Sequence, residues 1–193
     1  MITSILIRRL KEFFWYYGEI KPHPPIQNIE YKQGLPTEKD VEKFHQSIIV
    51  LDDLMLESRS STTVANMFAR VAHHRQCFII HITQNLFQQG AITRTQSLNA
   101  HYIVMFKNPR DRLQITYLAR KMYPHLPNFL TMDFENATEV DHGYLLLDLG
   151  PTTKDMLRVR SNIFIGDKQH TVYVPTNHVY KKTNPTFASS APE

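Results

Sequence analysis

Two adjacent carboxylates follow a short apolar stretch in the first third of the chain. Residues 47–54 read Ser-Ile-Ile-Val-Leu-Asp-Asp-Leu, so Asp52 and Asp53 come directly after four apolar residues. A continuous apolar run of this length predicts a buried strand of a parallel sheet, and ligands of open α/β sheets bind where such strands end. Two neighbouring acids at that edge favour a cation, most often a magnesium ion that carries a nucleotide phosphate. An acidic turn after a strand is the alternative, and this stretch alone does not decide between them.

Polar groups also follow the next two predicted strands. Gln84 lies in the Thr-Gln-Asn sequence after the largely apolar residues 77–82. Arg110 lies in the Asn-Pro-Arg-Asp sequence after the apolar residues 102–106. If the three strands belong to one parallel sheet, their carboxyl ends share an edge, and these groups could converge on one phosphate. A glutamine at that place can hydrogen-bond the attacking water or the terminal phosphate.

Strand and helix patterns alternate along most of the chain. Spacing of apolar residues predicts helices over residues 4–14 and 60–71 and from residue 113 or 114 to residue 122. Asn108 is expected to open the last of these as its cap, with Pro109 at the first position and Asp111 in the first turn. A further helix is expected over residues 128–137. Residues 143–149 and 156–160 are strand-like and flank Gly150 and Pro151, which predicts a hairpin or a near-neighbour pairing. Strands that alternate with helices predict an α/β three-layer fold.

Length and composition predict an ordinary globular chain. The 193 residues are expected to form one domain over residues 1–165 and a partly disordered C-terminal extension over residues 166–193. Cys77 is the single cysteine, which fits a reducing compartment, and no apolar run reaches the roughly 18 residues of a membrane span. We therefore expect an intracellular, non-secreted protein without membrane contact, in the nucleus or the cytoplasm. The net charge of +4 is compatible with a polyanionic partner but does not establish one.

Three longer stretches carry a specific resemblance. They are IIVLDDLMLES, FARVAHHRQCFIIHITQNLFQQGAITRTQSLNAHYIVMFKNPRD and YLLLDLGPTTKDMLRVRSNIF. In order and spacing, from about residue 15 to residue 164, the chain resembles the DNA-packaging-type ATPases of eukaryotic double-stranded DNA viruses and virus-like transposons. That family is allied to the FtsK–HerA branch of P-loop motors.

The resemblance implies a RecA-like fold with a mostly parallel central sheet and a set of residue roles. Asp52 would act on Mg²⁺ and Asp53 on the hydrolytic water, as a Walker B pair, and Gln84 would be the sensor on the following strand. Arg110 would be a finger or coupling residue by its position alone. The implied cofactors are Mg²⁺ and ATP. The implied partner is double-stranded DNA, and full-length relatives would form rings that hydrolyse ATP between subunits.

One departure from the family concerns the phosphate-binding loop. No G-x-x-x-x-G-K-(S/T) sequence occurs in the 193 residues, so the main ligands of the β- and γ-phosphates are absent from them. We therefore predict an N-terminally truncated RecA-like domain that lacks the P-loop strand and does not hydrolyse ATP alone. Loss of that strand, which is central to the family's sheet, would leave unpaired edges on its two neighbours.

Two other functions stay open. The chain could be a non-catalytic copy, degenerate or domesticated, that keeps the scaffold and binds DNA or a partner. A metal-dependent nuclease built on Asp52, Asp53 and Glu57 ranks lower, because it gives the Gln84 and Arg110 sequences no role.

Overall fold

A computed structural model describes residues 10–19, 26–58, 60–87, 98–164, 167 and 169–175. The chain divides into two compact units, Met1–Ala100 and His101–Glu193. Most of the helix predicted over residues 4–14 lies outside the described residues, and its last three residues belong to a strand. Those residues, Glu12 to Phe14, continue into an aromatic run whose strand preference is stronger.

The first unit contains a four-stranded parallel sheet. Its strands are β1 (Glu12–Tyr17), β2 (Ile29–Gln33), β3 (Ser47–Asp52) and β4 (Phe78–Ile82), in the spatial order β2-β1-β3-β4. All three pairings are parallel. The α/β class and the parallel sheet predicted from the apolar runs are therefore confirmed.

Helices cover one face of this sheet. They are α1 (Glu38–Lys43), the short α2 (Met55–Ser58), and α3 (Thr62–Asn66), which continues through a π-helical turn (Met67–Val71) into α4 (Ala72–His74). Side chains alternate between the two faces of a strand, so Phe14, Ile49 and Leu51 point to the covered face. There they form one hydrophobic cluster with helix residues, among them Val41, Val64, Met67 and Val71. Ser61 caps α3 by accepting a hydrogen bond from the Val64 amide.

The second unit contains a separate antiparallel sheet. Its strands are β5 (Tyr102–Phe106), β6 (Tyr144–Asp148), β7 (Val159–Ser161) and β8 (Thr171–Tyr173), in the order β5-β6-β7-β8. The helices α5 (Leu113–Met122) and α6 (Pro127–Ala137) pack against each other, and a 3₁₀ turn (Asp155–Leu157) precedes β7. The predicted pairing of β6 with β7 is confirmed, and it is antiparallel.

The expectation that residues 102–106 share the parallel sheet is wrong. This strand pairs antiparallel with β6 in the second sheet. Short apolar runs do not reveal which strand will be the neighbour, because parallel and antiparallel partners bury the same residues. The two compact units divide after Ala100, within the stretch predicted as one domain. The strand β8 pairs with β7, although it lies in the region predicted as a C-terminal extension.

An ion pair fixes the turn between β6 and β7. Asp148 is 5% exposed, and its carboxylate accepts hydrogen bonds from Arg160 at 2.6 Å, from the Thr153 hydroxyl at 2.9 Å and from the Gly150 amide at 3.1 Å. Arg158 donates to the carbonyl oxygens of Asp148 and Gly150. Because several donors share the buried charge, its desolvation is offset.

A second buried acid in this unit lacks such support. Asp133 on α6 is 4% exposed, and within the described part of the chain its Oδ2 atom has no hydrogen-bond partner. Burial raises the pKa of this carboxyl group to about 7. The folded chain therefore holds the proton more tightly than the unfolded chain, and stability is lost as the pH rises from about 4 through 7.

Asp133→Asn should therefore stabilise the chain at alkaline pH. The variant cannot ionise, so its free energy of unfolding should exceed that of the native chain by at least about 1 kcal/mol at pH 8, given about 1.4 kcal/mol per unit of pKa difference. At pH 5 the gain should be much smaller. Urea unfolding at both pH values measures this, with the exposed Asp141→Asn as control. A variant that is less stable than the native chain at pH 8 would contradict the role of burial.

Candidate functional site

The two acids lie at the carboxyl edge of the parallel sheet. In the strand register Asp52 is opposite Tyr17 of β1 and opposite Ile82 of β4. Asp52 is half-buried, and Asp53, the next residue, is exposed. The ends of three parallel strands therefore lie level with each other, with Asp52 on the middle one. This is the edge at which α/β sheets bind ligands.

A neighbouring strand holds the Asp52 carboxylate. The indole N–H of Trp15 donates to Asp52 Oδ2 at 3.2 Å. Both side chains lie on the same face of the sheet, since Trp15 is opposite Val50 and Asp52 is two residues further along β3. The indole fixes the orientation of one carboxylate oxygen and stabilises its charge.

Asp53 leaves the strand through an unusual backbone conformation. Its φ angle is 54°, in the left-handed region that aspartate tolerates better than most residues. On the adjacent strand the Gly18 amide donates to the Asp52 carbonyl oxygen at 3.1 Å. A Cβ atom at Gly18 would lie 2.5 Å from the Asp53 carbonyl oxygen, so a glycine is required there by close approach. Asp53 is exposed directly beyond the end of the strand that carries Asp52.

Gln84 follows the strand next to the acids. It comes two residues after Ile82, the residue opposite Asp52, and its side chain is exposed. The loop around it is shaped by its neighbours: the Asn85 amide donates to Thr83 Oγ1 at 3.3 Å, and the Phe87 amide donates to Asn85 Oδ1 at 2.8 Å. The first unit thus brings Gln84 to the same edge of the sheet as Asp52 and Asp53.

Arg110 does not follow a strand of that sheet. It is exposed and lies in a turn of the second unit, after β5. Asn108 caps this turn by accepting from the Arg110 amide at 3.1 Å, and the helix itself begins only at Leu113. The expectation that Asn108 caps the helix, with Pro109 at its first position and Asp111 in its first turn, is wrong, because the asparagine side chain stabilises a local turn instead. The helix expected from residue 113 or 114 to residue 122 is confirmed as Leu113–Met122. The shared sheet edge that was to bring Arg110 to the acids is absent from the described strands.

The carboxylate oxygens at this edge would suit a magnesium ion that is also bound by the phosphates of a substrate. Among the described residues there is no group of three or more His, Cys, Asp or Glu side chains that could hold a metal. Mg²⁺ commonly uses one or two carboxylates, several waters and the phosphates of a substrate. Asp52, half-buried and oriented by an indole, fits the part of a single protein ligand in such a shell.

Trp15 is the site residue that sequence reasoning missed. The alternation of β1 gives a signal, because Trp15 points opposite to Phe14 and Tyr16, which are buried. Its contact with Asp52 depends on β1 being the neighbour of β3, and the order of the strands cannot be derived from their apolar runs.

Comparisons with known proteins do not assign the chain to a family. No family model matches it, no curated protein matches it, and no solved structure matches its fold. In the described residues, no helix has the length and apolar character needed to cross a membrane.

Gly18→Ala should destabilise the first unit, because the substitution places a methyl group against the backbone of Asp53. The new methyl group would meet the Asp53 backbone, which cannot move aside as a flexible side chain would. We expect a loss of about 1 to 3 kcal/mol in the free energy of unfolding. Urea unfolding measures it, with Lys11→Ala, exposed at the start of the same strand, as a control that should change by less than about 0.5 kcal/mol. Equal stability of Gly18→Ala and the native chain would show that the edge is not packed as described.

Proposed function

We propose that the chain carries the Walker B half of a RecA-like nucleotide-hydrolysing domain of the DNA-packaging type. The observation that carries this proposal is the placement of Asp52 and Asp53 at the carboxyl end of a central parallel strand, with Gln84 after the neighbouring strand. The order of these residues along the chain is the order of the family to which the sequence bears a resemblance.

The residues would divide the chemistry among themselves. Asp52, held by the Trp15 indole, would bind the metal shell, and Asp53, exposed beyond the end of the strand, would orient or deprotonate a water. Gln84 would hydrogen-bond that water or the terminal phosphate. A bound Mg²⁺–ATP complex would supply the phosphate and the charge that polarises it. The finger or coupling role of Arg110 stays a prediction.

The edge of the first sheet agrees with the truncated form of the proposal. Loss of a central strand predicts neighbours with unpaired edges. Among the described strands β4 ends the first sheet, and Phe78, Ile80 and Ile82 along it are 46–48% exposed.

The 193 residues contain no phosphate-binding loop sequence, and this limits their ability to bind and hydrolyse ATP alone. The loop amides and lysine of the family supply most of the affinity for the β- and γ-phosphates. We therefore propose that the 193 residues by themselves do not hydrolyse ATP. By the same resemblance, double-stranded DNA would be the partner, and ring assembly would belong to proteins that also contain the loop. The non-catalytic scaffold is the second candidate, favoured by that missing loop.

The isolated chain should show no ATP hydrolysis above buffer and no binding of a fluorescent ATP analogue at micromolar concentration. Phosphate release and fluorescence anisotropy measure the two quantities. Micromolar binding that Asp52→Ala abolishes, and that the exposed Glu42→Gln in α1 preserves, would contradict the proposed inactivity while supporting the proposed site.

The transcript supplies the second test. If an in-frame G-x-x-x-x-G-K-(S/T) sequence lies upstream of Met1, the longer protein should hydrolyse ATP, and Asp53→Asn or Gln84→Ala should lower kcat by at least about 100-fold. Glu42→Gln should leave kcat unchanged. An active longer protein that is insensitive to both substitutions would refute the Walker B assignment. Magnesium-dependent DNA cleavage lost in Asp52→Asn, without nucleotide hydrolysis, would indicate the nuclease instead.

A further inference from the structure

His81 in the first unit and Asp133 in the second each bury a side-chain atom that has no hydrogen-bond partner among the described residues. The atoms are Nε2 of His81, on β4, and Oδ2 of Asp133, on α6. Burial without a partner disfavours the charged form of a group, because nothing replaces the water that it loses. A histidine becomes charged when it binds a proton, whereas an aspartate becomes charged when it releases one. The two units therefore contain buried groups that respond to pH in opposite ways.

His81 lies between the parallel sheet and an interrupted helix. It is opposite Leu51 in the strand register, so its side chain points to the face that the helices cover. The centre of its ring is 6.2 Å from that of Phe68, which lies in the π-helical turn Met67–Val71. The regular segments on either side of this turn have five and three residues. Helical segments this short depend on side-chain packing for their stability, so their contact with β4 can open locally.

The charged groups of these elements do not compensate a proton on His81. Asp52 lies on the opposite face of the sheet. Arg70 and His74 are exposed, and the Arg75 guanidinium donates to a backbone carbonyl oxygen of α1. Burial alone lowers the pKa of His81. The unfolded chain therefore binds this proton more tightly than the folded chain, and stability is lost as the pH falls below about 6.5, the ordinary histidine value.

Asp133 lies beside a hydrogen-bonded cluster that joins α6 to β7 and β8. The Tyr173 hydroxyl donates to Asn136 Oδ1 at 3.1 Å and lies 3.1 Å from Ser161 Oγ. Asn136 comes three residues after Asp133, so both lie on the same side of α6. Because Tyr173 has a single hydroxyl proton, Ser161 is the donor in their bond, and neither hydroxyl keeps a proton for a carboxylate. The charged residue of β7, Arg160, is held in the ion pair of the hairpin turn.

The titratable groups around Asp133 do not stabilise its ionised form. Burial raises the pKa of Tyr123, after α5, and of Tyr173, on β8, and the charge of Asp133 raises both further. Arg158 and Asp155 influence the pKa of Tyr123. Neither contributes to the pKa of Asp133, which burial alone raises. A carboxylate at this position therefore gains a partner only if water reaches it, and α6 covers it.

We propose that the two units open at opposite ends of the pH range: the first opens at β4 when His81 binds a proton, and the second opens at α6 when Asp133 releases one. Each opening is local, because it needs to expose only the newly charged group to water. In the first unit the helical segment leaves its contact between Phe68 and β4. In the second unit the bond from Tyr173 to Asn136 breaks. This response depends on the fold alone and goes beyond the proposed function.

Hydrogen exchange of the full chain at pH 5 and pH 8 tests the proposal, with each rate divided into that of an unstructured chain at the same pH to give a protection factor. From pH 5 to pH 8 the protection of the amides of β4 should rise at least about fivefold, since the unfolded histidine titrates in this range. Over the same range the protection of α6 should fall at least about tenfold, as the difference between a pKa of about 7 in the folded chain and about 4 in the unfolded chain requires. Protection that changes in the same direction in both elements, or in neither, would overturn the proposal without any substitution.

Two variants assign each response to its group. His81→Leu should remove the rise at β4 and keep the fall at α6, and Asp133→Asn should do the reverse, so each variant is the control for the other. His74→Leu, at an exposed histidine of α4, should keep both responses. A rise that persists in His81→Leu, or a fall that persists in Asp133→Asn, would refute the assignment. If His81→Leu does not fold, an NMR titration of the His81 ring in the native chain decides, and a pKa at or above about 6.5 would contradict the proposal.

Discussion

The parallel pairing of β3 between β1 and β4 is the constraint on which the candidate site depends. It sets Tyr17, Asp52 and Ile82 at one level, so every group that follows these strands reaches the same edge. A shift of β3 by one residue would turn Asp52 toward the helices and expose Leu51, which is fully buried. The hydrophobic cluster on one face therefore specifies which face carries the acid.

Local geometry at that edge is costly and is stabilised by the neighbouring strand. Asp53 holds a left-handed backbone, and Gly18 approaches it too closely for any side chain. The indole of Trp15 meets the charge of Asp52 from the same strand, β1.

The second unit buries two carboxyl groups, and their surroundings differ. Asp148 is as deeply buried as the core around it, and an arginine, a hydroxyl and an amide share its charge within one hairpin. Asp133, with one oxygen lacking a partner in the described residues, is instead kept neutral over much of the pH range by burial. Several donors thus share the charge of one acid, whereas burial disfavours the charged form of the other.

The sequence alone determined the elements and the chemistry of their ends. The apolar runs predicted β3, β4, β5 and the β6–β7 hairpin, and the placement of Asp52, Asp53 and Gln84 after strands followed from residue order. These signals are local, because burial of a strand depends on its own side chains. Tertiary structure decided which strands are neighbours. It put β1 beside β3, so that Trp15 meets Asp52, and it put β5 in a second, antiparallel sheet, so that Arg110 does not follow a strand of the parallel sheet. Strand order depends on contacts between residues far apart in the chain, and no local pattern records them.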